Sequence, residues 1–390
     1  MPVNFVLRVS RHLRMKIAVN TRLLLKDKLE GIGWFTFETL KRIVRRHPEH
    51  TFYFIFDRPY DESFVFAPNV VPMKVFPPAR HPYLWYLYFE WGVTRLLKQL
   101  QPDLFLSTDG WLSLRTSVPT VDVIHDLNFE HYPEFIKPVV RRYYKRFFHR
   151  FAKKAVRIAT VSDFTRQDIN KLYGIPKDKI DVVYNGCNSC YVPLDGHSRE
   201  EVKCSVTGGC DYFLFVGLIH QRKNLANEFR AFDRFRKTDS RNMKFVVVGD
   251  KKWWHGEIED AYLAMTHKED VIFLGRQSQE SLSRLMAAAT ALVYASFFEG
   301  FGIPILEAFN AETAVITSNV TSMPEVAGDA ALLVNPHSVD EICAAMTRMA
   351  GDEDLRQELI AKGRERRLCF SWDRSADALW QTVEKTMMEI

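Results

Sequence analysis

No uncharged run in the 390 residues reaches the roughly 18 needed to cross a bilayer; the nearest is Leu285 to Phe298. Residues 1–14 are basic but lack a sustained apolar segment and a small-residue cleavage site. They do not read as a secretion signal, and Met15-Lys-Ile-Ala-Val-Asn looks like a natural first strand. Cysteine is scarce, at six residues, and without a secretion signal these are expected to be reduced thiols. Cys187-x-x-Cys190 is followed by Cys204 and Cys210, a spacing too wide for a structural zinc site, so no metal is expected. Gly31-Ile-Gly33 lacks the third glycine of a dinucleotide fingerprint, Thr36 standing in its place, which argues against NAD or FAD. The only Asp-x-Asp string, Asp352-Glu-Asp354, opens an acidic helical pattern. A surplus of charge is missing too: 53 Lys and Arg against 48 Asp and Glu leave +5, too little to indicate nucleic acid.

What the chain does have is alternation. Short β-rich runs separated by helical patterns recur at Lys16–Val19, Phe52–Phe56, Val71–Phe76, Asp103–Ser107, Thr120–Ile124, Arg157–Val161 and Lys179–Tyr184. They return at Tyr212–Val216, Lys244–Gly249, Val271–Gly275, Ala291–Ala295, Ala314–Thr317 and Ala331–Asn335. This is the pattern of parallel α/β layers. Asn185 to Asp211, with Pro, Gly, Ser and charges but no long period, reads as a linker. Two doubly wound sheets are the economical arrangement, with a ligand expected in a cleft between them at the carboxyl ends of the strands.

The most informative stretch is Ser296-Phe-Phe-Glu-Gly-Phe-Gly-Ile-Pro-Ile-Leu-Glu307, which follows an apolar strand and precedes a helical pattern. Pro304 suits the first helical position. Gly300, Phe301 and Gly302 then form the strand-to-helix turn, where a ligand can approach the backbone and the first free N–H groups make an anion site. Glu307 is expected in the first helical turn, where the macrodipole favours a carboxylate. Glu299 lies on the other side of the glycines. Acceptor-only carboxylates bracketing an amide nest suit a ligand with hydroxyls at both ends and phosphate in the middle, the shape of a nucleotide sugar.

This string closely resembles the Glu-x7-Glu motif of glycosyltransferase family 4, the large retaining family with the two-domain GT-B fold. Other strings extend the resemblance over essentially Lys16 to Ile390: His125-Asp126, Ala159-Thr-Val-Ser, Val183-Tyr-Asn-Gly186, Arg222-Lys223-Asn224, Val246 to Trp254, Phe273-Leu-Gly-Arg276 and Ser318 to Ala331. The resemblance implies an α/β GT-B architecture of two Rossmann-like domains facing each other across a cleft. It implies an acceptor domain over 15–190, a donor domain over 205–370 and a helix over 371–390 crossing back to the first domain. It also implies roles. Glu299 would bind sugar hydroxyls, Glu307 the ribose and Arg222 with Lys223 the diphosphate, while Gly31 and Gly33 face the donor phosphates. His125 would touch the donor sugar, with Asp126 orienting its ring or meeting the acceptor. Cations preorganised at the leaving phosphate are what such a transfer needs.

The implied activity is metal-independent, retaining hexose transfer from a GDP- or UDP-hexose, a co-substrate rather than a cofactor, to a saccharide or lipid-linked saccharide. Arg222-Lys-Asn224 and Ser322-Met-Pro-Glu-Val326 look most like mannosyltransferases of surface polysaccharide assembly, which implies a place in the cytoplasm or on the inner face of the cytoplasmic membrane. A same-fold phosphorylase or epimerase, or a non-catalytic carbohydrate-binding protein, remains an alternative. Two features depart from the pattern. Glu312 stands where the family usually has glycine, so it either alters the turn or places a carboxylate near the donor. Cys187 stands where a β-branched residue is common. Finally, Lys137 to Arg157 has nine Lys and Arg and no acid, with Tyr144, Phe147, Phe148, Phe151 and Ala155 at helical spacing. That helix either lies on an anionic membrane surface or packs its aromatic face in a core under a solvated basic face.

Overall fold

The computed structural model describes residues 14–251 and 254–390. The basic opening stretch before the first strand, and Lys252 and Trp253 of the loop after Val246, lie outside the described residues. Contacts divide the chain into two units, Met1–Asn185 with Trp372–Ile390, and Gly186–Ser371.

In the first unit the strands are β1 (Lys16–Asn20), β2 (Thr51–Phe56), β3 (Val70–Lys74), β4 (Leu104–Ser107), β5 (Thr120–Ile124), β6 (Arg157–Thr160) and β7 (Ile180–Val182). They form one parallel sheet in the order β3-β2-β1-β4-β5-β6-β7. Central strands such as β4 and β5 are buried along their whole length, which is why they read as unbroken apolar runs. The helix Gly31–Arg46 lays Phe35, Leu40, Ile43 and Val44 into the core. The helix Pro138–Lys154 does the same with Tyr143, Phe147, Phe148 and Phe151. Of the two readings of the basic segment, its aromatic face is therefore core, and its cations face outward.

The last helix, Trp372–Glu389, belongs to this unit and packs on Gly31–Arg46 and on β6. Trp380 stacks on the His47 ring at 3.9 Å. Arg46 pairs with Asp377 at 2.6 Å, and Arg157 with Glu389 at 2.5 Å. The His50 Nδ1 accepts the Met15 N–H at 3.1 Å, so its proton sits on Nε2, 3.2 Å from Glu49.

The second unit holds β8 (Tyr212–Val216), β9 (Lys244–Val248), β10 (Val271–Gly275), β11 (Ala291–Tyr294), β12 (Ala314–Ser318) and β13 (Leu332–Val334). They too are parallel, in the order β10-β9-β8-β11-β12-β13. Two expectations need correction here. The stretch read as a linker contains a twelve-residue helix, Gly196–Thr207, capped by Asp195 accepting the Ser198 N–H and closed by left-handed Gly208. Pro304 is the second helical residue, because the helix Ile303–Asn310 starts one position earlier, after Gly302. Strand order reverses between β1 and β4 in the first sheet and between β8 and β11 in the second, the positions where open α/β sheets bind ligands.

Candidate functional site

In the second unit, the loops leaving β8 and β11 meet at the reversal point. After β8, Gly217 and Gly249 let backbones touch: a Cβ on Gly249 would fall 1.8 Å from the Gly217 carbonyl oxygen. The turn Gln221–Lys223 follows, capped by His220 accepting the Arg222 N–H, and ends on Asn224 with φ +62°. Asn224 holds that left-handed position by donating from Nδ2 to the carbonyls of Ala295 at 2.8 Å and Pro336 at 2.7 Å. The turn thus presents Arg222 and Lys223 to the loop leaving β11.

There they meet Glu299. The Arg222 guanidinium lies 2.9 Å from one Glu299 oxygen and the Lys223 ammonium 2.7 Å from the other. Arg222 also donates to the Phe298 carbonyl, and Lys223 to the Tyr294 hydroxyl at 2.7 Å. Burial alone would raise the Glu299 pKa, but the two cations outweigh it and hold it at about 2. The carboxylate stays ionised across the physiological range.

Below it the chain turns at Gly302, whose φ of +101° admits glycine readily. Phe301 faces inward, its ring edge-on to Phe370 at 5.7 Å, so it offers the turn its backbone rather than its side chain. The Ser322 hydroxyl ties the turn down by donating to the carbonyls of Glu299 at 2.9 Å and Phe301 at 3.0 Å. Glu307 is the fifth helical residue, beyond the first turn where it was expected, so the helix end does little for it. It is buried, and that burial raises its pKa to about 7 against the opposing influence of the Tyr191 hydroxyl and Lys223. Glu312, with φ +57°, reaches Arg364 at 2.5 Å; its carboxylate is spent on that ion pair on the helix Glu353–Arg366. Its left-handed backbone is one that a glycine would hold without strain.

In the first unit, His125 follows β5, and its Nε2 lies 2.9 Å from the Thr108 carbonyl. Burial lowers its pKa. Asp126 does not orient the ring by a hydrogen bond: its Oδ1 accepts from the Asn128 N–H at 2.9 Å and from the Asn128 side chain at 2.5 Å, opening the short helix Asn128–His131. Gly31 and Gly33 lie in the first turn of Gly31–Arg46, where a Cβ on Gly33 would come within 3.1 Å of the Leu23 carbonyl and of Leu29. Packing therefore asks for glycine there. Phe35, one turn on, meets the His125 ring edge-on at 5.0 Å and so couples this helix to the end of β5.

Several residues escaped the sequence reading. At the β1/β4 reversal, Asp109 accepts from Arg22 at 2.6 Å and from Asn20 at 2.7 Å, and the Arg22 guanidinium sits 4.3 Å over the Trp111 ring. Tyr191, Tyr294 and Ser322 frame the carboxylates of the second unit. Ser322 lies within the Ser318–Ala331 string, but nothing in that string marks its role; the strand-end position of Asn20 and of Tyr294 was available as a hint.

Two doubly wound parallel sheets, each with its own switch point and one carrying a cation pair around a buried carboxylate, fit the GT-B class of glycosyltransferase, and other proteins agree. The sequence matches the model of glycosyl transferases group 1 over residues 203–366 and that of glycosyltransferase family 4 over residues 29–189. It is 32% identical over 259 residues to O-antigen chain mannosyltransferase B of Escherichia coli, spanning 65% of this chain and 67% of that protein. It is 30% identical over 275 residues to O-antigen chain mannosyltransferase RfbU of Salmonella typhimurium, spanning 70% and 72%. The chain belongs to the group 1 glycosyltransferases, family 4. The fold is shared with WaaG, a glycosyltransferase involved in lipopolysaccharide biosynthesis (TM-score 0.73, 17% identity, 93% of this chain and 98% of that one). It is shared as well with Anabaena HepE solved with UDP and glucose (TM-score 0.73, 15% identity, 95% and 99%).

Proposed function

We propose that this glycosyltransferase moves mannose from a nucleotide-sugar donor to a saccharide or lipid-linked saccharide acceptor in building a surface polysaccharide, on the cytoplasmic side, with retention and without a metal. The observation that carries the donor half is the Arg222–Lys223–Glu299 cluster at the β8/β11 reversal. Negative charge grows on the leaving diphosphate in the transition state, and two cations fixed beforehand by a buried carboxylate and by backbone stabilise it without reorganising. Ionised Glu299 is acceptor-only, so it meets sugar hydroxyls. Glu307, beside Tyr191, suits the ribose diol, and His125 the donor sugar. The acceptor hydroxyl attacks the anomeric carbon on the face the diphosphate leaves; the bond to the phosphate oxygen breaks, and that oxygen takes the hydroxyl proton. Mannose as the sugar is supported by the two mannosyltransferase relatives, and a UDP-hexose by the HepE complex.

A melting screen with GDP, UDP and ADP tests the donor: a nucleotide at 100 times its Kd adds about 2.7 kcal/mol of stability. GDP is expected to shift the midpoint most. If no nucleotide shifts it, the nucleotide-sugar reading is wrong. Product NMR showing an inverted anomeric centre defeats retention, and loss of turnover in EDTA defeats metal independence.

A further inference from the structure

In the second unit the loop that carries Glu299 is fastened at successive backbone groups, and one of the fasteners is a buried acid outside the cation cluster. β11 keeps register with β8 at Ala291 and Leu292, and the two strands then part. Beyond that point the Ser318 hydroxyl donates to the Ser296 carbonyl at 2.6 Å, the Phe297 N–H to the Arg222 carbonyl at 3.0 Å, and the Glu299 N–H to the Thr321 hydroxyl at 3.3 Å. The Phe297 ring stacks on His337 at 4.7 Å. At the root of the loop, Ala295 is held on both sides. Its carbonyl accepts from Asn224, and its N–H donates to Glu228 Oε1 at 2.8 Å. Among these holds, that of Glu228 is the one made by a carboxyl.

Glu228 lies in the first turn of the helix Leu225–Thr238, four residues after Asn224, which puts the two side chains on one face. It is wholly buried. Its second oxygen, Oε2, has no hydrogen-bond partner among the described residues, and Asn224 Oδ1, on the same face, is likewise buried without one. A buried carboxylate with a bare oxygen is costly, whereas the neutral acid carries an O–H that suits an acceptor such as a side-chain amide oxygen. Burial pushes the Glu228 pKa well above the ordinary range, against the Ala295 N–H and the Lys223 ammonium. Lys223 is the charged group that acts on it, and it is the same cation that Glu299 holds at 2.7 Å. An ionised Glu228 would be a second carboxylate competing for that ammonium.

We propose that Glu228 is a positioning residue for the transfer: as an uncharged acid it pins Ala295, fixes the loop from which Glu299 reaches Arg222 and Lys223, and leaves the Lys223 ammonium to Glu299 and the diphosphate. It acts through Lys223 and Glu299 and does not itself meet the donor. Cations that stabilise a leaving group do so because they are already in place. A displacement of about 1 Å made far from the chemistry costs up to about 10²-fold in rate. The effect on transfer rests on the donor site proposed above; the hold on Ala295 does not.

Three substitutions in the full chain separate reach from charge. Glu228→Gln keeps an acceptor oxygen at the same reach and is permanently neutral, so its kcat should stay within about threefold of wild type. Glu228→Asp keeps the carboxyl but falls one methylene short, and Glu228→Leu keeps the volume without the acceptor. Each should lower kcat by about 10–10²-fold, with kcat/KM falling in step because the lost interaction is made in the transition state. Glu228→Asp serves alone if Glu228→Leu fails to fold. On a Lys223→Ala background the same substitution should cost a smaller factor, since the cation it positions is gone. Hydrogen exchange over residues 291–300 reads the hold with no donor present: it should quicken in Glu228→Asp and stay as in wild type in Glu228→Gln. Glu228→Gln as slow as Glu228→Asp, equal factors in the two backgrounds, or unchanged exchange in Glu228→Asp overturns the proposal. Wild-type protein that no nucleotide stabilises strikes the donor reading instead, and the exchange measurement then decides the role of Glu228 in the loop.

Discussion

Glu299 and Glu307 share one helix approach and one degree of burial, yet their ionisation lies at opposite ends of the acid range, because only Glu299 has two cations in contact. The consequences differ in sign. The folded-state value of Glu299, about 2, is below the ordinary 4.5, so its stabilisation is complete above about pH 4.5 and is lost as pH falls toward 2. That limb amounts to about 3 kcal/mol and should vanish in Glu299→Gln, as acid melting curves of the two proteins will show. Glu307 is raised, so the folded state loses stability as pH climbs from 4.5 to about 7. The ionised carboxylate is the stronger hydroxyl acceptor, so donor affinity should rise by up to about tenfold between pH 6 and 8 and flatten in Glu307→Gln; calorimetric titration with the intact nucleotide sugar measures it. A flat wild-type profile removes Glu307 from the ribose. Lys223→Ala should cost about 10²–10³ in kcat/KM in a transfer assay, with folding intact by circular dichroism. Glu312→Gly relieves a left-handed glutamate but drops its ion pair with Arg364, two effects of about 1 kcal/mol each; stability should barely move, and donor preference not at all.

Among elements, the parallel strands are the most legible, because a strand buried on both faces, such as Tyr212–Val216, is written as one apolar run. The helix Gly196–Thr207 stays hidden because only Val202 and Thr207 are buried, leaving no apolar period; its evidence is confined to its caps. The site divides the same way. Arg222, Lys223 and Glu299 stand in recognisable strings, whereas Tyr191 and Ser322 act through partners far along the chain. Glu307 illustrates a third case: the residue was legible, but its place in the helix depended on one residue of start position. The turn that carries Arg222 and Lys223 rests on Asn224, so Asn224→Ala should lose about 2–3 kcal/mol, two bonds to buried carbonyls and a left-handed backbone. Asn224→Gly keeps the backbone and loses only the bonds. Urea melts of both variants separate the contributions, and a smaller loss in the alanine variant than in the glycine one would contradict the account.

On the scale of the whole molecule, the first unit is discontinuous in sequence, completed by Trp372–Ile390. Trp380 is its clasp, buried and stacked on His47 and His50. Trp380→Ala should cost about 3–5 kcal/mol, and hydrogen exchange should quicken in β1 and β2 while β8 to β13 keep their protection. Uniform quickening through both sheets would show that the units do not melt separately. The discontinuity also orders events in time. Chains fold as they are made, domain by domain, and the second unit, Gly186–Ser371, is complete before the helix that finishes the first has been translated. The second sheet is therefore the first to be able to close, and the earlier-synthesised sheet waits, one helix short, until Trp372–Ile390 has been made.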